Sequence, residues 1–168
     1  MSARRAAARF ALLAVLAIGA AACGGRPAQT SGGGMGVPMT SEIVDQRGAA
    51  AFRYPRPVVF AATEAVLRRA GYHIGFVDQA FTSMKTEPIL AGDPTLTAYE
   101  RSYSVTFSDV DGGTRVRIAP HMWLNRQDVS ATPVWNMDGP TGELALWEGI
   151  FREIDAALKQ LPQGQGQR

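Results

Sequence analysis

Between residues 99 and 124 the side chains alternate in character with a period of two on both sides of an Asp-Gly dipeptide. A long antiparallel hairpin satisfies that pattern. Tyr99, Arg101, Tyr103, Val105 and Phe107 share one face, and Glu100, Ser102, Ser104, Thr106 and Ser108 share the other. Beyond Asp111-Gly112, Val116, Ile118, Met122 and Leu124 fall on one face and Arg115, Arg117, His121 and Asn125 on the other. A two-residue loop at Asp111-Gly112, suited to a type I′ turn, sets Phe107 against Val116, Val105 against Ile118 and Thr106 against Arg117. A three-residue loop would oppose Phe107 and Arg117 and spoil both faces, so the period specifies the register. One face of this sheet is covered and the other is wet.

The cover reads as helical. Leu144, Trp147, Ile150, Phe151, Ile154, Leu158 and Leu161 recur at spacings of three and four, which predicts an amphipathic helix over 141–161. Glu148, Arg152, Glu153 and Lys159 lie on its far face. A second helix is expected over Pro57–Ala70. Pro57 suits the first turn, Arg68 and Arg69 the last, and Gly71 the stop. A first strand is expected over Ala50–Tyr54. Tyr72–Val77 and Phe81–Glu87 read as a hairpin broken at Asp78-Gln79, and Pro88–Thr97 as a loop. The order is β-α-β-β-β-β-α. This is an α+β fold in which an antiparallel sheet of about five strands carries two helices on one face. The domain spans residues 40–161, with a Gln- and Gly-rich tail after it.

The N-terminus carries a different signal. Arg4, Arg5 and Arg9 precede a 13-residue run, Phe10 to Ala22, without charge. That run is shorter than the roughly 20 residues a transmembrane helix needs and fits a secretory h-region. It ends in Ala20-Ala21-Ala22-Cys23-Gly24, and Cys23 is the only cysteine of the chain. One cysteine excludes a disulfide framework or a Cys-rich zinc site. Removing residues 1–22 takes away three arginines and no acidic residue, leaving 14 basic and 15 acidic residues, a net of −1. The basicity of the full chain belongs to the leader, so it does not argue for a nucleic-acid partner. Residues 24–38 hold six glycines and two prolines and no aromatic. Composition reads them as a tether, with an r.m.s. span of roughly 20 Å. They lack the Lys-Ser/Thr that a phosphate loop needs.

The segment ending at Cys23 resembles the lipobox of bacterial lipoproteins, with Ala20 where a larger aliphatic residue is usual. The resemblance implies a diacylglycerol on Cys23, cleavage before it, and stable anchoring by more than one acyl chain. An ordinary signal peptide cut at the Ala-x-Ala site would instead leave Cys23 a free thiol. The domain itself is similar to the helix-grip domains of bacterial envelope lipoproteins, including the two-domain lipoprotein of the outer-membrane β-barrel assembly machinery. The residues that carry this are the Pro-led helix ending Leu67-Arg68-Arg69-Ala70-Gly71-Tyr72, the strand end Met84-Lys85-Thr86-Glu87, and the turn Asp111-Gly112-Gly113-Thr114-Arg115-Val116. This chain has room for one such domain. The resemblance implies an envelope interaction module.

No catalytic residues are assigned. His73 and His121 are the only histidines and lack metal-ligand spacing, and Asp109 and Asp111 suit turn chemistry. Two places are candidate interaction surfaces. One is the wet face with Arg115, Arg117 and His121, joined by Trp123, as basic and aromatic groups for an anionic partner. The other is Trp135 and Met137 in the loop 128–140, an apolar hot spot of the kind interfaces favour. The function expected is a lipid-anchored, non-catalytic interaction or structural component of the cell envelope, at the outer membrane facing the periplasm. It is expected to have a protein partner and neither cofactor, metal nor nucleic acid. The alternative is a carrier that holds a small apolar ligand between long helix and sheet.

Overall fold

The long hairpin forms as its alternation requires. In the computed structural model, which describes residues 36–91, 99–132 and 134–161, strand β5 (Tyr99–Val110) pairs with β6 (Gly113–Leu124), Phe107 opposite Val116, Val105 opposite Ile118 and Thr106 opposite Arg117. The connecting turn differs from expectation. Gly112 has φ 71° while Asp111 stays at negative φ, the pattern of a type II turn. The type I′ geometry appears instead at Asn125-Arg126, both at positive φ (50° and 66°), which folds β6 back into β7 (Gln127–Asp128). The expected leader, Cys23, the tether as far as residue 35 and the tail from residue 162 lie outside the described residues.

The rest of the sheet is built outward from this hairpin. Strand β1 (Ala49–Phe52) pairs with β6; β2 (Ile74–Val77) pairs with β3 (Ser83–Thr86), and β3 pairs with β5. Strand β4 (Ile89–Ala91) pairs with β5 over Tyr99–Arg101, inside the stretch expected to be loop. All pairings are antiparallel, and the central order is β1-β6-β5-β3-β2. The described residues thus hold seven strands rather than five. Between β2 and β3 the turn is longer than expected. Phe81 leaves the strand and takes φ 55°, while the Asp78 carboxylate accepts from the amide and hydroxyl of Thr82. The ring of Phe81 then stands edge-on to Phe60 at 5.2 Å.

Three helices accompany the sheet in the described residues. Helix α2 (Arg56–Arg69) has Pro57 in its first turn and closes where Gly71, at φ 91°, lets Tyr72 N–H reach the Leu67 carbonyl. Helix α3 (Glu143–Lys159) is the long amphipathic cover. Helix α1 (Ser41–Arg47) was not expected. It has seven residues capped by the Thr40 hydroxyl and only Val44 fully buried, too short a pattern for periodicity to register.

Helices α2 and α3 lie on the same face of the sheet. Val59, Phe60, Val66 and Leu67 of α2 and Trp147, Ile150, Ile154 and Leu158 of α3 share one core with Met84, Tyr103, Val105, Phe107, Val116 and Ile118. Phe151 sits at its margin, half-buried, with its ring 6.4 Å from that of Phe52. Leu161 is exposed. Replacing Ile154 by Ala is therefore expected to cost about 2–5 kcal/mol in a denaturant melt. Glu153→Gln, on the solvent face, should stay within about 0.5 kcal/mol. Comparable losses at the two sites would contradict this packing.

Candidate interaction face

Neither α2 nor α3 lies on the opposite face of the sheet, and α1 meets it at Asp45. Period two along β6 brings Arg115, Arg117, His121 and Trp123 onto it together. Small residues floor it, with Ser108 opposite Arg115, Thr106 opposite Arg117, Ser104 opposite Ala119 and Ser102 opposite His121. The expected basic row is compensated in part: among the described residues Arg117 and His121 each meet a carboxylate, while Arg115 meets a backbone carbonyl. Arg117 Nε lies 2.5 Å from Asp45 Oδ1, and Arg115 Nη2 donates to the Asp45 carbonyl at 2.9 Å. Both reach to α1, the element absent from the expectation. His121 stands between Ser104 Oγ, 2.9 Å from its Nε2, and Asp128 Oδ2, 3.3 Å from its Nδ1. Burial pushes Asp128 upward, but hydrogen bonds from Ser130 and His121 outweigh it and hold the carboxyl below its ordinary range. Trp123 Nε1 donates to Ser102 Oγ at 3.1 Å. The face presents partly compensated charge and hydrogen-bonding groups, which suit contact with a surface of complementary charge.

Trp135 is a second correction. It is 1% exposed, and so is no surface anchor. Residues 128–132 and 134–142 fold as a strap over one end of the sheet. Trp135 Nε1 donates to the Ser130 carbonyl at 2.9 Å, and the backbone of Trp135 exchanges two hydrogen bonds with Val37. Met137 is half-buried and packs against the core. Apolar side chains without periodicity proved to be a loop closing a sheet end, where they gain more by burial than by exposure.

Beneath the strap lies a site that the sequence reading passed over. Arg101, on the covered face of β5, is 7% exposed, and Glu143, the first residue of α3, is fully buried. Arg101 Nη2 is 3.1 Å from Glu143 Oε2, and Tyr103 donates its hydroxyl to Glu143 Oε1 at 3.4 Å. The Arg101 guanidinium lies 5.7 Å from the ring centres of both Tyr99 and Trp135. Among the described residues neither Arg101 Nε nor Glu143 Oε2 has a hydrogen-bond partner. Burial raises the Glu143 carboxyl above its ordinary value, against the pull of Arg101 and Tyr103, and it raises the Tyr103 hydroxyl as well. The strap also supplies carbonyls to the first turn of α3. Glu143 N–H donates to Asn136 O and Leu144 N–H to Met137 O. Gly142 lets this happen, because a Cβ there would run into the Asp138 and Met137 backbone. A signal for the pair was present in the chain. Arg101 interrupts an otherwise aromatic and aliphatic face, and Glu143 precedes Trp147 by four residues and Ile150 by seven, inside the buried stripe.

Elsewhere an open cleft of about 750 Å³ lies beside the Asp111-Gly112 turn, lined by Arg53, Tyr54, Arg56 and Asp109 among others. Arg56 and Asp109 pair along it, and the hydrogen bond from Arg56 holds Asp109 below its ordinary value. No group of three or more His, Cys, Asp or Glu side chains converges among the described residues. No helix of the described residues is long and apolar enough to cross a membrane.

No protein-family model matches the chain, and no curated protein matches it. Among solved structures it is similar to a DUF4468 family protein from Bacteroides ovatus ATCC 8483, at 12% identity and a TM-score of 0.41, over 70% of this chain and 87% of that one.

Two outcomes follow from the strap. Trp135→Ala should cost about 3–5 kcal/mol, as emptying a core aromatic site does; a melt close to wild type would return Trp135 to the surface. Glu143 should also give stability a pH signature. Its raised value means the folded state holds the proton more tightly than the unfolded chain, so its contribution is full below the ordinary carboxylate range. That contribution is lost as pH rises through the raised value. Glu143→Gln should remove this fall from the stability-pH curve, and an unchanged curve would contradict the burial of an ionisable Glu143.

Proposed function

We propose that this chain is a lipid-anchored component of a bacterial cell envelope whose α+β domain is a non-catalytic interaction or structural module. The observation that carries the reading is the position of the only cysteine. Cys23 closes a short uncharged run behind three arginines, and the described fold begins 13 residues later at Gly36, after a Gly-rich stretch. An anchor, a spacer and a domain with one sheet face left uncovered by α2 and α3 make a unit that offers that face to a partner while attached to a membrane. Arg117 and His121 of the face meet the carboxylates of Asp45 and Asp128, which supports contact rather than chemistry there.

The carrier reading requires room between α3 and the sheet. Trp147, Ile154 and Leu158 are each at most 1% exposed, as are Val105, Val116 and Ile118 across from them. This filled gap favours the module.

Cys23→Ser should shift the protein from the membrane fraction to the soluble fraction or to an uncleaved precursor. Metabolic labelling with a fatty acid should mark the wild-type chain and not the variant. Absence of label on the wild type would end the anchor reading.

A further inference from the structure

Where the chain enters the fold decides which end of the domain stands nearest an anchor. Val37 N–H donates to the Trp135 carbonyl at 3.0 Å, Trp135 N–H donates back at 3.3 Å, and Met39 N–H donates to the Ser130 carbonyl at 3.1 Å. The entering segment is therefore bound at the strap, beside the Tyr99 end of β5 and the Leu124 end of β6. The other end of that hairpin, Asp111-Gly112, is a twelve-residue strand away, about 40 Å at the usual strand rise. Cys23 lies 13 residues before Gly36, so even a fully extended chain would separate them by no more than about 45 Å. The r.m.s. span of such a chain, roughly 20 Å, is about half that strand length, so a lipid on Cys23 favours the strap end as the one facing the bilayer.

That end carries a side-chain set suited to a headgroup layer. Leu90 is 72% exposed, more than any other large apolar side chain described. It stands opposite Glu100, and Glu100 stands opposite Trp123, so the three form one row across β4, β5 and β6 on the uncovered face. Asp128 of β7 stands opposite Trp123 in that row, and exposed Arg126 lies in the adjoining type I′ turn. Leu90, Tyr99, Trp123 and Arg126 line one shallow depression of about 230 Å³ with Glu100 and Asn125. Val134, beside Trp135 in the strap, is 40% exposed. Tryptophan and tyrosine rings sit well at the boundary between headgroup and acyl chain, and an arginine extends its charge to phosphate from there.

We infer that Leu90, Trp123 and Arg126 at the strap end rest against a zwitterionic phospholipid surface, the end from which the tether leaves. The inference rests on the anchor reading above. Glu100 in the middle of the row disfavours a strongly anionic surface, while the amine of a zwitterionic headgroup can meet it as the phosphate meets Arg126. One leucine and one tryptophan make a weak contact alone. A short tether raises the local concentration of surface to the millimolar range, which is enough to populate it. The middle of that sheet face, around Ser104 and Thr106, remains available to a partner.

The chain contains its own reporter. Of its three tryptophans, Trp135 and Trp147 are each 1% exposed, and Trp123 is the one at the surface. The full lipidated protein, extracted from membranes, is to be reconstituted into phosphatidylethanolamine–phosphatidylcholine vesicles with and without bromines near the headgroup end of the acyl chains. Flotation reads the anchor and tryptophan quenching reads the contact. The expected result is co-flotation with partial quenching, abolished in Trp123→Phe and strongly reduced in Leu90→Glu, whose melts should match wild type. Co-flotation without quenching would overturn the contact and leave the anchor standing. Quenching that persists in Trp123→Phe would place another surface on the membrane and overturn it too. Failure to float would overturn the anchor reading, and the contact with it. Quenching lost only when a co-purified protein is present would mean that the row is a protein site, which also contradicts the inference.

Discussion

The register of the β5–β6 hairpin places a charged residue where the fold has no water to offer it. Phe107, Val105 and Tyr103 must share the covered face for the core to close, and period two then carries Arg101 onto that same face. An isolated buried guanidinium is untenable, so the end of the sheet is organised around it: Glu143 from α3, the rings of Tyr99 and Trp135, and the strap that holds Trp135 in place. Such a pair is weak evidence of added stability, since apolar residues of similar volume often do as well. Its effect is positional. It ties the start of α3 to the Tyr99 end of β5 and leaves one location for the strap.

The location of the strap in turn sets the base of the N-terminal segment. Val37 and Met39 have their hydrogen-bond partners on the strap, and Thr40 then caps α1. Helix α1 carries Asp45 to Arg115 and Arg117, so the charge balance of the outer face depends on where the chain enters. The two faces of the sheet are thereby linked. A pair buried on one side determines the segment whose carboxylate moderates the arginines on the other.

What could be read from the chain was what repeats. The hairpin register, α2 with its Pro and Gly ends, and the inward stripe of α3 all follow from periodicities of two or 3.6 sustained over several turns or pairs. What was missed was short or non-local. Helix α1 has seven residues, β4 has three, and β7 has two; none is long enough to establish a period. Arg101 and Glu143 each belong to an expected element, but the 41 residues between them hide the fact that the two elements meet. Trp135 was misplaced because a lone aromatic in an aperiodic loop reads alike whether it closes a sheet end or awaits a partner. Its burial depends on Val37 and Ser130, which local pattern does not connect to it.

Native-state hydrogen exchange on the full chain with Arg101→Met tests most directly whether the buried pair governs the strap. That change keeps bulk on β5 and leaves Glu143 without its charge partner. The account predicts a selective loss of protection at the amides of Val37, Met39 and Trp135 and at Glu143 and Leu144 in the first turn of α3, while Val105, Phe107, Val116 and Ile118 keep theirs. Protection unchanged at Val37 and Trp135, or lost uniformly along β5 and β6, would contradict it.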